Sequence, residues 1–195
     1  MSSKNPTTRT RILDATWTLL ESGSSKVRMS DIAKAAGISR QAVYLHFPSR
    51  ADLLVATTRH IDAAKDIDDR LAASRSATSG PERLASFIDA WGTYIPEIYG
   101  VGRALMAMQD SDEEARKAWA GRMEALRQGC AAAVAAIAAD GALRSDLTQT
   151  RATDTLWMLL SVRNWEQLTR ESGWSQADYV AAMQDLARRA LIADA

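Results

Sequence analysis

Arg40, Gln41, Tyr44 and His46 fall within seven consecutive positions of the stretch "AAGISRQAVYLHFPSRADLL", residues 35–54. A guanidinium, a carboxamide, a phenol and an imidazole so closely spaced share one kind of chemistry: they grip phosphate oxygens and base edges. If Ser39 caps a short helix that Phe47 and Pro48 bring to an end, Arg40, Gln41 and Ala42 occupy its first turn. A helix that enters a DNA major groove by its N-terminal end presents that turn first. Arg40 then suits guanine O6 and N7, Gln41 suits adenine N6 and N7, and the Ala42 methyl suits the thymine methyl. Tyr44 and His46 fit phosphate contacts at the groove rim, with Ser39 beside them, and Arg50 is placed to clamp the adjoining backbone. Val43 and Phe47, four residues apart, point the opposite way into a core. The competing reading is a short amphipathic helix that only packs, with Tyr44 half-buried and His46 as a cap.

These residues need elements to hold them, and the signals along the chain are helical. From Thr8 to Glu21 the set Ile12, Ala15, Thr16, Leu19 and Leu20 makes the stripe of a helix facing a core, with Gly23 as its terminator. Ser30 is expected to cap a second helix carrying Ile32, Ala33 and Ala36, stopped by Gly37. The third helix is Arg40–His46, and Ser49 caps a fourth that starts near Arg50 and runs to about Ala73. Two helices joined across "AGIS", with its glycine, form a helix-turn-helix. Beyond "SRSATSGP" further helices are expected near 81–95, 97–109, 112–139, 150–172 and 175–192. Pro96, Gly100 and Gly102 are expected to break the middle of the body. The fold class is all-α: a three-helix helix-turn-helix domain over residues 1–56, then a helical bundle over 57–195.

Charge separates the same two parts. The 195-residue chain has 24 basic and 24 acidic residues, yet residues 1–60 hold nine Lys/Arg against four acids, an excess of +5. The remainder therefore carries −5. A polyanion-facing N-terminal module on an acidic body accounts for that asymmetry. No apolar run approaches the roughly 18–20 residues of a membrane span, and the polar start "MSSKNPTTRTR" is unlike a secretory signal. A cytoplasmic protein with no membrane partner is expected. The single cysteine, Cys130, sits in an Ala-rich helical context and reads as a small buried hydrophobe.

The run "RILDATWTLLESG" followed by "MSDIAKAAGISRQAVYLHFPSRADLL" resembles the DNA-binding domain of TetR-family transcriptional regulators, over about residues 9–56. Its most specific parts are "DIAKAAGIS" and the run from Tyr44 to Arg50. Two positions depart from the family pattern: Ser24 stands where an aromatic is common, and "KVRMS" replaces a Thr that often contacts phosphate, leaving Arg28 or Ser30 to take that role. The resemblance implies a homodimer whose C-terminal domain binds a small-molecule effector and whose two heads read a roughly palindromic operator in double-stranded DNA.

In the body, Tyr179, Val180, Met183, Leu186, Ala187, Ala190 and Leu191 form an apolar stripe suited to dimerisation. Leu156, Leu159, Leu160, Val162 and Trp165 make the preceding segment apolar on more than one face. The interface candidates are Leu156, Leu160, Tyr179, Met183, Leu186, Ala187 and Ala190, with a purely intrachain core as the alternative. Effector-pocket candidates are Trp91, Tyr94, Tyr99, Met106, Trp119, Trp157 and Trp165, against the reading that such aromatics are plain core. Asp89, Glu97, Asp154 and Arg163 are candidate polar anchors or ordinary surface charges.

The function expected from all this is a repressor released from its operator by an effector, with its recognition helices about 34–36 Å apart. The alternative is an architectural or division-linked DNA-binding protein without a small-molecule switch. A helical enzyme is the third class. Only His46 and His60 offer imidazole bases, both in or beside the DNA-binding stretch, and no nucleophile–base pairing or metal-ligand spacing is visible. No enzymatic activity, cofactor or metal is expected.

Overall fold

The computed structural model describes residues 6–22 and 27–193; these are mainly helices joined by short turns, with one isolated antiparallel bridge between Leu143 and Ile192. Gly23, Ser24 and Lys26, to which the sequence assigns a terminator, a family departure and a charge, lie outside the described residues. The helices are α1 Thr8–Glu21, α2 Met29–Ala36, α3 Arg40–His46, α4 Arg50–Ala64, α5 Ile67–Arg70, α6 Ala72–Arg75, α7 Gly80–Met108, α8 Glu113–Ala139, α9 Gln149–Leu159, α10 Val162–Glu166 and α11 Gln176–Leu191. A π-helical turn, Gln167–Glu171, continues α10. The chain divides into two compact units, residues 1–65 with 98–122, and residues 66–97 with 123–195.

The first unit is built around the three helices of the head. Thr7 caps α1 by accepting the Thr10 N–H, and Ile12, Leu13, Thr16 and Leu20 are its buried face. The cap of α2 is Arg28, not Ser30; Ser30 is exposed in the first turn. The Asp31 carboxylate accepts the Arg28 N–H at 3.3 Å, so the acid one turn in closes this helix end. Gly37 ends α2 in the left-handed conformation, φ 66°, which frees its own N–H and that of Ile38 for the Lys34 and Ala33 carbonyls. Residues 98–122 complete this core. Val101, Ala104, Leu105, Met108, Ala115 and Ala118 join Ile32, Val43, Phe47 and Leu53 in one buried cluster. The ends of α4 are both tied to that segment, Arg50 to Asp112 and Asp62 to Arg122.

Beyond the head, three expectations of the sequence are corrected. The fourth helix stops at Ala64 rather than Ala73, because Asp66 adopts φ 51°, which a short polar side chain tolerates and a helix does not. Pro96 does not break the body: α7 is continuous from Gly80 to Met108. Proline removes the donor that would serve the Gly92 carbonyl, and the Gln176 side chain supplies a replacement at 2.7 Å. Conversely, the expected helix over 150–172 is interrupted at Leu160–Ser161. Ser161 caps α10 by accepting the Asn164 N–H, and the released Leu160 carbonyl accepts from the Trp91 indole N–H at 2.8 Å. Gln176 also accepts the Trp165 indole N–H, at 2.8 Å, so one carboxamide joins α7, α10 and α11.

Candidate nucleic-acid interface

The third helix has the geometry of a reading head. Ser39 Oγ accepts the Ala42 N–H at 3.1 Å, and the helix closes at Phe47, whose N–H donates to Val43 at 2.9 Å. Val43 and Phe47 are buried and anchor it from beneath. On the other face Arg40 and Gln41 are exposed, Ala42 is half-buried, and Tyr44 and His46 are exposed. Arg40 packs on its neighbour one turn along. Its guanidinium lies over the Tyr44 ring, 5.6 Å from the centroid, and donates to the Tyr44 hydroxyl at 3.4 Å. The pair is worth little in stability at an exposed site, about 0.5–1 kcal/mol, but it restricts the rotamers of a long cation that would otherwise lose that freedom on binding.

The sequence reading missed Leu45, which is 81% exposed between Tyr44 and His46. The signal was present: with Val43 and Phe47 both buried, the residue midway between them on a helix must face away. Leu45 lies one turn beyond Gln41, on the same face.

The basic residues of the head divide by what they already hold. Arg11 donates to the Ala36 carbonyl at 2.5 Å and so serves the end of α2. Arg9 stacks over Phe47, 4.8 Å from the ring centroid. Arg50, expected as a backbone clamp, has its guanidinium engaged within the chain: Nε donates to the Val27 carbonyl at 2.9 Å, Nη2 lies 3.4 Å from Met108 Sδ, and Nη1 pairs with Asp112. Arg28, Ser30 and Arg40 are exposed. Together with Tyr44, Arg50, Ser111, Asp112 and Glu114 they line an open cleft of about 620 Å³. Charge agrees with this distribution. Extending residues 1–60 to the whole first unit adds Lys65, Arg103, Arg116, Lys117 and Arg122 against Asp62, Asp110, Asp112, Glu113 and Glu114, so the excess stays at +5.

The body candidates fall in both units. Tyr99, Met106 and Trp119 belong to the first; Trp91, Tyr94, Trp157 and Trp165 belong to the second. Trp91, Tyr94 and Trp165 are buried there, while Trp157 is half-buried. Of the polar anchors, Glu97 pairs with Arg70 at 2.7 Å and Asp154 with Arg127 at 2.8 Å. Among the dimer candidates, Leu156, Leu160, Tyr179, Met183 and Ala187 are buried within the chain, Ala190 is half-buried and Leu186 is exposed. Leu186 on α11 and Met158 on α9 are the large apolar side chains these two helices leave exposed. Cys130 is enclosed, and burial pushes its thiol up to about 12, which keeps it protonated and chemically quiet.

Tyr179 stands apart from these. It is fully buried, its hydroxyl has no hydrogen-bond partner among the described residues, and desolvation raises its pKa well above the usual phenol value. An unsatisfied buried polar group costs about 1–3 kcal/mol. Tyr179→Phe is accordingly expected to raise the stability of the ligand-free protein by about 1 kcal/mol in urea denaturation. A loss of stability instead would mean that the hydroxyl has a partner in solution.

Comparison with known proteins places the head. The model of the family "Bacterial regulatory proteins, tetR family" matches residues 12–57. The HTH-type transcriptional regulator BetI of Rhizobium meliloti is 30% identical over 116 residues, 57% of each chain. The HTH-type transcriptional repressor LfrR of Mycolicibacterium smegmatis is 38% identical over 74 residues, 38% of this chain and 37% of that one. The matched segments thus span little more than half of the first relative and a third of the second. A transcriptional regulator from Saccharomonospora viridis, solved in complex with choline, has the same fold. It superposes with a TM-score of 0.74 over 95% of this chain and 98% of that one, at 21% identity. The cap at Ser39, the glycine turn and the buried Val43 and Phe47 all lie inside the matched segment: residues 12–57 of this chain are similar to the tetR family of bacterial regulatory proteins.

Proposed function

We propose that this protein is a sequence-specific DNA-binding transcriptional regulator, acting as a repressor that leaves a two-fold symmetric operator when a small-molecule effector binds its body. The carrying observation is the outer face of α3. Arg40, Gln41, Tyr44 and Leu45 are exposed on a helix that Val43 and Phe47 hold from below. Arg40 and Gln41 are the base-reading groups, and Leu45 adds an apolar surface for a thymine methyl. Arg28, Ser30, Ser39, Tyr44 and His46 contact phosphates. A second protomer supplies the second head, through a surface that includes Leu186 and Met158 on α11 and α9.

The effector reading is supported by the aromatic cluster of the second unit and by the orphan hydroxyl of Tyr179, the group a ligand's polar atom would satisfy. The related fold solved with choline supports a small-molecule site in such a body. Burial of Trp91, Tyr94 and Trp165 favours the second reading, a DNA-binding protein without a small-molecule switch.

The test is selection of a bound sequence from a random DNA pool, with light scattering on the same purified sample. A two-fold symmetric site bound by a dimer is the expected result; no selected sequence overturns the proposal. On the selected site Arg40→Ala is expected to reduce discrimination at one base pair by about 1–3 kcal/mol. Binding to random DNA should fall much less. Equal losses on both would remove Arg40 from the base-reading role.

A further inference from the structure

Arg50 and Asp112 meet in the cleft that the DNA-contacting side chains line, and the geometry of the pair is specific. Arg50 lies in the first turn of α4, directly after the Ser49 cap, three residues beyond Phe47 at the end of the reading helix. Asp112 divides its carboxylate between two tasks. Oδ1 accepts the N–H groups of Glu114 and Ala115 at 3.0 and 3.1 Å, so it caps α8, and Oδ2 holds the Arg50 guanidinium. The two side chains retain 16% and 27% of their exposure, so the pair is only partly screened by solvent.

The same cleft is lined by Arg28, Arg40 and Tyr44 on the head, by Asp112 on the turn between α7 and α8, and by Glu114 in the first turn of α8. Residues 110–114, which run from that turn into α8, read "DSDEE", four acids in five residues. A guanidinium at the start of α4 recognises a carboxylate and a phosphate with the same donors. A phosphate approaching Arg50 therefore meets a group of its own charge already in place.

We propose that Asp112 is an intrachain competitor of the DNA backbone for Arg50, so that the α7–α8 turn lowers the affinity of the head for DNA until it releases this arginine. The inference rests on the DNA-binding reading above. It assigns to the turn a role distinct from packing: Arg50 exchanges one anion for another, and whatever displaces residues 110–114 from α4 alters DNA affinity. The second tie between the same segments, Asp62 to Arg122, keeps the far end of α4 in register while the near end exchanges.

The experiment uses the full chain and its selected operator. Asp112→Asn keeps an oxygen for the α8 cap and removes the charge that holds Arg50. Asp112→Ser keeps a capping hydroxyl and is too short to reach the guanidinium. Both variants are expected to bind the operator on the order of tenfold more tightly at low salt. The log–log salt dependence should steepen by about 0.9, one added phosphate contact. Adding Arg50→Ala to Asp112→Asn should abolish both gains, which a purely structural pair would not do. Thermal melting of each variant confirms that the compared proteins are folded. Unchanged or weaker operator binding by both folded Asp112 variants, with the wild type still binding its site, overturns the competitor role and leaves the regulator reading standing. Absence of operator binding by the wild type overturns both.

Discussion

Replacing Phe47 with alanine is expected to destabilise the protein by about 3–5 kcal/mol, a large share of the roughly 5–15 kcal/mol that holds a domain folded. Phe47 is 2% exposed, sits at the junction of α3 and α4, and belongs to the core cluster shared by α1, α2, α4 and the segment 98–122. Its ring also carries the Arg9 guanidinium. Truncation leaves a cavity in that cluster, because Pro48 and the Ser49 cap fix the chain on one side and the Val43 carbonyl on the other. Urea denaturation of the full chain reads the loss directly. DNA binding should fall on all sequences together, since the whole reading helix loses its floor. Phe47→Leu should restore most of the stability. A change below about 1 kcal/mol for Phe47→Ala would mean that the head is not supported from this residue.

The second large effect is expected at Gly80. This residue opens α7 with its N–H donated to Asp140 Oδ2 at 2.5 Å, and a Cβ placed there would come within 2.5 Å of the Ile137 backbone nitrogen on α8. Backbone cannot swing aside as a side chain can. Gly80→Ala is therefore expected to cost about 3 kcal/mol by forcing the start of α7 off α8. Gly129→Ala makes the informative comparison. Its obstacle is the edge of the Phe87 ring, at 2.6 Å, and that ring can move at a cost of about 1 kcal/mol. Thermal melting of both variants orders them. Gly80→Ala melting as late as Gly129→Ala would show that the two helices have room at this crossing. Neither position lies in the helix-turn-helix domain.

Both effects concern features of different legibility. The reading helix could be seen in the sequence because its determinants are local. Ser39 and Ser49 cap by reaching three residues along the chain, Gly37 supplies its own left-handed turn, and the Val43–Phe47 spacing assigns the inner face without reference to anything distant. Those same two residues also determine that Leu45 faces outward. The N-terminal excess of +5 is likewise a property of the chain alone.

The places where local signals misled are places where a distant group intervened. Pro96 carries a strong breaking signal, and α7 continues because Gln176, eighty residues later, donates to the carbonyl that proline orphaned. The apolar run through Leu160 and Val162 promised one helix, and Trp91 stabilises its interruption by accepting the role of donor to Leu160. That Arg50 also holds Asp112, sixty-two positions away, is likewise invisible in a sequence window. The dimer stripe on α11 was correctly apolar, but burial within the chain uses Tyr179, Met183 and Ala187, which periodicity cannot distinguish from burial against a second copy. The sequence by itself thus determined the helical class, the caps at Ser39 and Ser49, the turn at Gly37 and the inner face of α3, since these depend on residues within a turn or two of one another. Only the tertiary structure decided which helices run on, which hydroxyl is orphaned and which cation is already engaged, because each of those depends on a side chain delivered from elsewhere in the fold.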